Sequence, residues 1–482
     1  MSFFRNTFWS AASTATMTIG RMGMAMTLAR WLGPDLFGVF AFVQWLVDIT
    51  FIAISVGLPG VATRFFPQFA STTGEDGRAF DAWFWRAGAL AIVFAAFASG
   101  ILVRVFSQVV HLHDLVAVVC LAASSAFYSL ANSRAQGRFQ YKRVAFSSLL
   151  FMLMAAIGLL LIKAEPTLSG IFITLCVSNL IAAVALTWGE LPAARDLSLS
   201  MRSPYSDAVT RYGRNAWVVA IISSLLWSRG ELPLVEGYLG KESVGYYAIG
   251  LTISGIINQG VGLLAGALWP LVARTWDTGN EKELMRFEAI VTNTLILAAG
   301  VSVGFVICFS PHVILMLFGD KYGKSADLVF LLAIGALGLS SGCANLIVQA
   351  ATNGTFGRNA NIVGVLALFS LAALLTPRYG VEGAAFARAT VQIGIAGVTF
   401  VAMLRLLKTT RDMRRGFYSF IATFFLTIAL SGFRLAVPRM SLFAETMLFL
   451  GYAALVWAVC SRAGRINIFD EIKTLGRFEN GV

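Results

Sequence analysis

Apolar runs of about membrane-crossing length recur along all 482 residues of this chain and limit its fold more than any motif does. A helix rises 1.5 Å per residue, so crossing a ~30 Å hydrocarbon layer takes about 20 apolar residues. Windows of that kind fall near 8–30, 36–58, 85–106, 114–133, 144–163, 167–188, 213–232, 244–268, 287–309, 326–350, 359–376, 382–404, 416–436 and 442–461, the seventh being the least regular. Only 13% of the residues are charged and 57% are hydrophobic. A soluble chain carries about a quarter charged residues, so disorder and a large water-soluble catalytic domain are both excluded. The expected fold is an all-α polytopic membrane protein with about 14 transmembrane helices.

The net charge of +12 comes from 37 Lys+Arg against 25 Asp+Glu. No polar domain gathers that excess, so no nucleic-acid partner is expected. Placed on the alternation of spans, about two thirds of the basic residues fall on the side that holds the N-terminus. The positive-inside bias then puts both termini in the cytoplasm of a multi-pass protein. Cys120, Cys176, Cys308, Cys343 and Cys460 stand singly within apolar runs. They read as packing thiols, with neither metal-ligand nor disulfide spacing. His111, His113 and His312 form no ligand set either, so no metal or other cofactor is expected.

The two halves echo one another. Leu32-Gly33-Pro34-Asp35-Leu36-Phe37-Gly38 follows the first span, and Leu239-Gly240-Lys241-Glu242-Ser243-Val244-Gly245 follows the seventh. A second echo pairs the segment from Arg64 to Glu75 with that from Trp269 to Asn280, and Gly137-Arg138 pairs more weakly with Gly357-Arg358. Both repeats begin after an odd span and so insert in the same direction. That is a pattern of transporters with a substrate site between two bundles. The expected organisation is two pseudo-symmetric six-helix lobes, 1–200 and 201–410, with two additional helices and a tail over 411–482.

Three loop signatures carry a family resemblance. The stretch from Ala29 to Gly38, Leu317-Phe318-Gly319-Asp320-Lys321-Tyr322, and Tyr379-Gly380-Val381-Glu382-Gly383-Ala384-Ala385 are similar to those of Wzx-type polysaccharide transporters. These belong to the superfamily that also holds multidrug extruders and lipid II flippases. The resemblance implies export of an oligosaccharide carried on undecaprenyl pyrophosphate across a bacterial inner membrane, for O-antigen, exopolysaccharide or capsule. A polymerase and a chain-length regulator would be its partners, beside the membrane lipids. A drug or cation antiporter of the same superfamily is the alternative and would favour acids and aromatics in its cavity. A membrane polymerase is a weaker one, because the outer loops are short and carry no paired-carboxylate site.

Ionisable groups inside membrane helices are costly unless they face protein or water, so each is a functional candidate. Thr7, Ser10, Thr14, Thr18 and Arg21 share one face of the first span. Counting at 1.5 Å per residue, Arg21, Arg229 and Arg388 all fall in the outer half of the bilayer. Guanidinium forks match phosphate oxygens and stay charged, so these three are the expected pyrophosphate ligands. Interface snorkelling competes for Arg229 and plain packing for Arg21 and Arg388. Asp48 is the deepest acid and reads either as their counter-ion or as a site that couples transport to a proton or sodium gradient; Glu231 is open to the same two readings. Gln44, Asn258, Gln259 and Gln392 are candidate sugar contacts or interhelical hydrogen-bonders. Gly300-x-x-x-Gly304 and Gly262-x-x-x-Gly266 suggest close helix packing. The segment 277–290 reads as a surface amphipathic helix, and the basic run 405–415 as a contact with anionic lipid heads.

Overall fold

The computed structural model describes residues 3–69, 75–106, 112–190, 203–277, 281–352, 355–406, 411–437 and 440–464. Among them the chain is helical, without a strand. His111, Arg195, Arg202, Asn353, Gly354, Lys408 and the tail beyond 464 lie outside the described residues, as do the surroundings of Gly262 and Gly266 and the side chains of the arginines of 411–415. Packing divides the chain into two compact units, Met1–Leu232 and Pro233–Val482.

The first unit opens with α1 (Phe3–Ile54), which is two expected spans joined without a loop. The junction is Gly33, at φ 71°. A positive φ carries no steric penalty for glycine, and Pro34 follows, so the chain breaks here without losing a whole turn to solvent. A tight turn at Val56 and Gly57, both at positive φ, leads into α2 (Leu58–Phe69), a twelve-residue helix with Val61, Ala62, Phe65, Phe66 and Phe69 on its buried face. Then follow α3 (Glu75–Phe106), α4 (Leu112–Gly137), α5 (Tyr141–Leu161), α6 (Leu168–Thr187) and α7 (Ser203–Ser223). The core forms where α4 packs on α3 and α6, and α5 on α1 and α6. The short α2 seats between the end of α4 and α7, close enough that a side chain at Gly137 would strike the Ala62 carbonyl and one at Gly57 the Gly213 carbonyl.

The second unit holds α8 (Leu232–Leu239), α9 (Lys241–Asp277), α10 (Glu281–Phe318), α11 (Ser325–Ala336), α12 (Gly342–Ala351), α13 (Thr355–Leu406), α14 (Arg411–Ala436) and α15 (Leu442–Gly464). Here α13 joins two expected spans across Gly380, at φ 66°. The tenth span is α11 and α12 in line through a tightened turn, Leu337–Ser341. Both additional helices, α14 and α15, pack on α10. The Gly300–Gly304 face accounts for part of that closeness: a side chain at Gly304 would collide with the Tyr452 ring, and one at Gly300 would meet Thr423 and Val456. Tyr452 then bonds Thr427 at 2.7 Å and donates to the Gly300 carbonyl at 3.2 Å.

Ten helices among the described residues are long and apolar enough to cross a membrane, or eleven with the bent seventh counted as one. Two of the ten, of 47 and 52 residues, are each long enough for two crossings. With α9 between them in sequence, the order reproduces the fourteen spans. One expectation changes: residues 281–290 are not a separate surface helix but the first turns of α10, and Glu288 within them is fully buried.

Candidate functional site

Helix geometry brings four of the expected site residues together in the first unit. Arg21 precedes the Gly33 break by twelve residues, Gln44 follows it by eleven and Asp48 by fifteen, so all three lie at a similar distance, about 16–23 Å, from the break. The charges of Arg21 and Arg229 both bear on the Asp48 carboxylate, and Gln44 Nε2 donates to Asp48 Oδ1 at 3.3 Å. Arg21 and Asp48 are exposed, Gln44 and Arg229 half-buried. The hydroxyls of Thr14 and Thr18 donate to carbonyls one turn back, at 3.0 and 2.8 Å. The stripe below Arg21 is therefore polar, yet those two hydroxyl donors are satisfied within their own helix.

Arg229 owes its place to a break in the seventh span. After α7 the chain widens into a π-helix, Ser224–Arg229, and then bends by 50° into α8. Gly230 makes the turn feasible, since a Cβ there would run into the Leu225 carbonyl. π-Segments leave the regular ladder and are frequent at functional sites. Glu231, next in sequence, is fully buried. Within α7, six residues before its end, the Trp217 indole donates to the Ala53 carbonyl at 2.7 Å, pinning α7 to the end of α1.

The remaining expected residues belong to the second unit. Arg388 and Gln392 lie on α13 and are buried. Gln392 backs onto Gly335 and Gly338, and its Nε2 has no hydrogen-bond partner. Asn258 on α9 is half-buried with an unpartnered Oδ1, and Gln259 beside it is exposed.

A second ionic assembly ties helix ends of the first unit; of its members the sequence singles out Arg138 alone, as a basic residue at the inner mouth that could attract an anionic headgroup. Arg134, only 2% exposed, grips Asp81 with two parallel bonds of 2.8 Å. It also donates to the Glu190 carboxylate at 3.1 Å and to the Glu190 carbonyl at 2.7 Å. Arg138 reaches Asp81 at 3.0 Å and Glu190 at 3.4 Å, Gln140 Nε2 reaches Glu190 at 2.9 Å, and Arg143 pairs with Glu190 as well. The guanidiniums of Arg134 and Arg138 also lie over the Phe66 ring. Burial pushes the Glu190 carboxyl up, but the Gln140 hydrogen bond and the three arginines outweigh it and hold the group below the ordinary range. Arginines were legible here as positive-inside residues; their acidic partners stand some fifty positions away, so no local pattern joins them. In the second unit, Glu445 is similarly buried and is held by Arg434 at 2.6 Å, with His312 at 3.0 Å.

Among the described residues no group of three or more His, Cys, Asp or Glu could hold a metal ion. All five cysteines are free, and every one but Cys120 is buried.

Comparison with solved structures identifies the fold. The chain superposes on the lipid II flippase MurJ in an inward closed conformation with a TM-score of 0.65 at 12% identity, covering 94% of this chain and 99% of that one. An inward-facing multidrug resistance MATE family transporter of the MOP superfamily also gives 0.65 at 12% identity, over 83% and 98%. A MOP superfamily transporter from Pyrococcus furiosus, described as having a binding pocket of reverse polarity, gives 0.53 at 14% identity, over 84% and 97%. No curated protein matches by sequence. A model of the polysaccharide biosynthesis protein family matches residues 27–327, well over half of the sequence. The chain belongs to the polysaccharide biosynthesis protein family.

Proposed function

We propose that this protein is a flippase that moves an undecaprenyl-pyrophosphate-linked oligosaccharide across the bacterial inner membrane by alternating access, supplying surface polysaccharide assembly. The observation that carries the reading is that the charges of Arg21 and Arg229 both act on the Asp48 carboxylate, which Gln44 meets at 3.3 Å. Two guanidiniums acting on one carboxylate leave a site that is cationic by one charge when empty and by two once Asp48 is displaced or protonated. A diphosphate then replaces the carboxylate as counter-ion. Phosphates and sugar hydroxyls cannot enter hydrocarbon without a large desolvation cost, so such a site would shelter the headgroup while the prenyl chain stays in lipid. In this reading Arg388 is a third phosphate ligand, Glu231 a second counter-ion, and Gln44, Asn258, Gln259 and Gln392 serve the sugar or hold helices together. Asp48 is also the place where a proton or sodium gradient would couple. A polymerase and a chain-length regulator would act on the delivered repeat unit.

Depletion in a strain with intact glycosyltransferases tests this. Complete repeat units on undecaprenyl pyrophosphate should accumulate on the cytoplasmic face, and Arg21→Glu should fail to clear them at normal membrane levels. Normal surface polymer without the protein, in the absence of a redundant transporter, would refute flipping and favour the drug or cation antiporter.

A further inference from the structure

Glu190 sits where a phosphate would fit. Its carboxylate is met by three guanidiniums, from Arg134, Arg138 and Arg143, and by the Gln140 amide. The donors outnumber what two carboxylate oxygens can accept well: Oε2 alone is shared by Arg134 at 3.1 Å, Gln140 at 3.2 Å and Arg138 at 3.4 Å. Asp81 neutralises only part of the positive charge, which leaves three guanidiniums against two carboxylates. The α5 helix begins at Tyr141, and both its cap residue Gln140 and its first-turn Arg143 touch Glu190. The partial positive charge of that helix end therefore adds to the cluster. Gln140 Oε1 is buried without a partner, an acceptor ready for the hydrogen of a monoprotonated phosphate. The cradle is open on one side, Arg138 being 29% and Arg143 51% exposed.

We propose that Glu190 is an internal stand-in for a diphosphate group: the Arg134–Arg138–Gln140–Arg143 cradle binds a phosphate-bearing anion, which displaces the Glu190 carboxylate while Asp81 keeps Arg134 in place. Three phosphate oxygens match the donor set better than two carboxylate oxygens, and guanidinium forks favour such groups. The cradle lies on the face assigned to the cytoplasm, where a lipid-linked substrate is collected. Taking that substrate as the ligand rests on the flippase reading; the anion chemistry does not.

The distinctive consequence is one of sign, because removing an acid should improve binding. Purified full-length protein in detergent would be titrated calorimetrically with inorganic pyrophosphate and with farnesyl diphosphate, in native and Arg21→Ala backgrounds. The second background takes one guanidinium out of the other arginine site. Glu190→Gln should bind tighter, by roughly tenfold or about 1.4 kcal/mol, and Arg143→Glu should bind weakly or not at all, in both backgrounds. Binding of both probes would identify the free anion as sufficient; binding of farnesyl diphosphate alone would identify the lipid headgroup. Unchanged or weaker binding by a Glu190→Gln protein that melts like the native one would overturn the proposal. So would unchanged binding by Arg143→Glu, which alters a half-exposed side chain and decides the matter even if the Glu190 variant fails to fold. Loss of all native binding on Arg21→Ala, with no response to Glu190→Gln, would refute this cradle and leave the Asp48 site standing.

Discussion

Two buried acids with opposite surroundings predict opposite responses to neutralisation. Asp81 is the bidentate partner of the buried Arg134. Asp81→Asn would leave that guanidinium undercompensated, and breaking a buried pair typically costs about 3–5 kcal/mol. A clear fall in melting temperature, read by tryptophan fluorescence in detergent, is expected. Glu288, fully buried, has one hydrogen bond, from Thr292 at 2.7 Å, and an unpartnered second oxygen. No cation among the described residues faces it, so Glu288→Gln should melt no lower than the native protein at neutral pH. Glu190 adds a pH dependence. Its carboxyl is held below its ordinary value, 4.5. The stabilisation from its ionised form is therefore complete above that value and is lost as pH falls through the lower, folded value. Melting temperature should drop in the acid range for the native protein, and less steeply for Glu190→Gln.

At the scale of elements, hydrophobic length was legible and irregularity was not. A run of twenty apolar residues is a local property, so the spans could be read directly. The irregular seventh span was visible as a run weakened by Arg229 and Glu231, but the π-segment and the 50° bend depend on how α7 packs. Likewise α2 contains Phe65-Phe66-Pro67, a short mixed stretch whose helix is fixed by the close approach of Gly57, Gly60 and Gly137 to their neighbours. Of the candidate site, Arg21, Asp48 and Arg229 were legible because charge is rare within apolar runs. The Arg134 assembly was not, since Asp81 and Glu190 look like ordinary helix-end acids until α3, α4 and α6 pack. Glycines offer the matching tests. Gly304→Leu should drive a side chain into the Tyr452 ring, an overpacking that usually costs about 1–3 kcal/mol, and should loosen α15 from α10. Hydrogen exchange should rise in α14 and α15 while the first unit is unaffected. Gly230→Ala sets a Cβ against the Leu225 backbone, so the π-segment must straighten or shift, and the melting temperature should fall together with any transport.

For the whole molecule, the direction of insertion decides what each site can do. If the N-terminus is cytoplasmic, α5 runs outward and the Glu190 cradle at its start faces the cytoplasm, while Arg21, some twenty residues into α1, lies nearer the outer surface. A headgroup would then meet the cradle before the Arg21–Asp48–Arg229 site, an inward-to-outward order that suits export. If insertion is reversed, the order reverses and both assignments lose their sense. One helix can settle the choice, because exposed lysines flank α5, Lys142 in its first turn and Lys163 two residues past its end, and its 21 residues are about the length of one crossing. Lys142→Cys and Lys163→Cys would be made with the one exposed native thiol removed by Cys120→Ser. Membrane-impermeant maleimide applied to intact cells stripped of their outer membrane should label position 163 and spare position 142. Inverted vesicles should give the converse. Labelling of position 142 from outside would reverse every inside and outside assignment made from the arginines, and with it the proposed path of the headgroup.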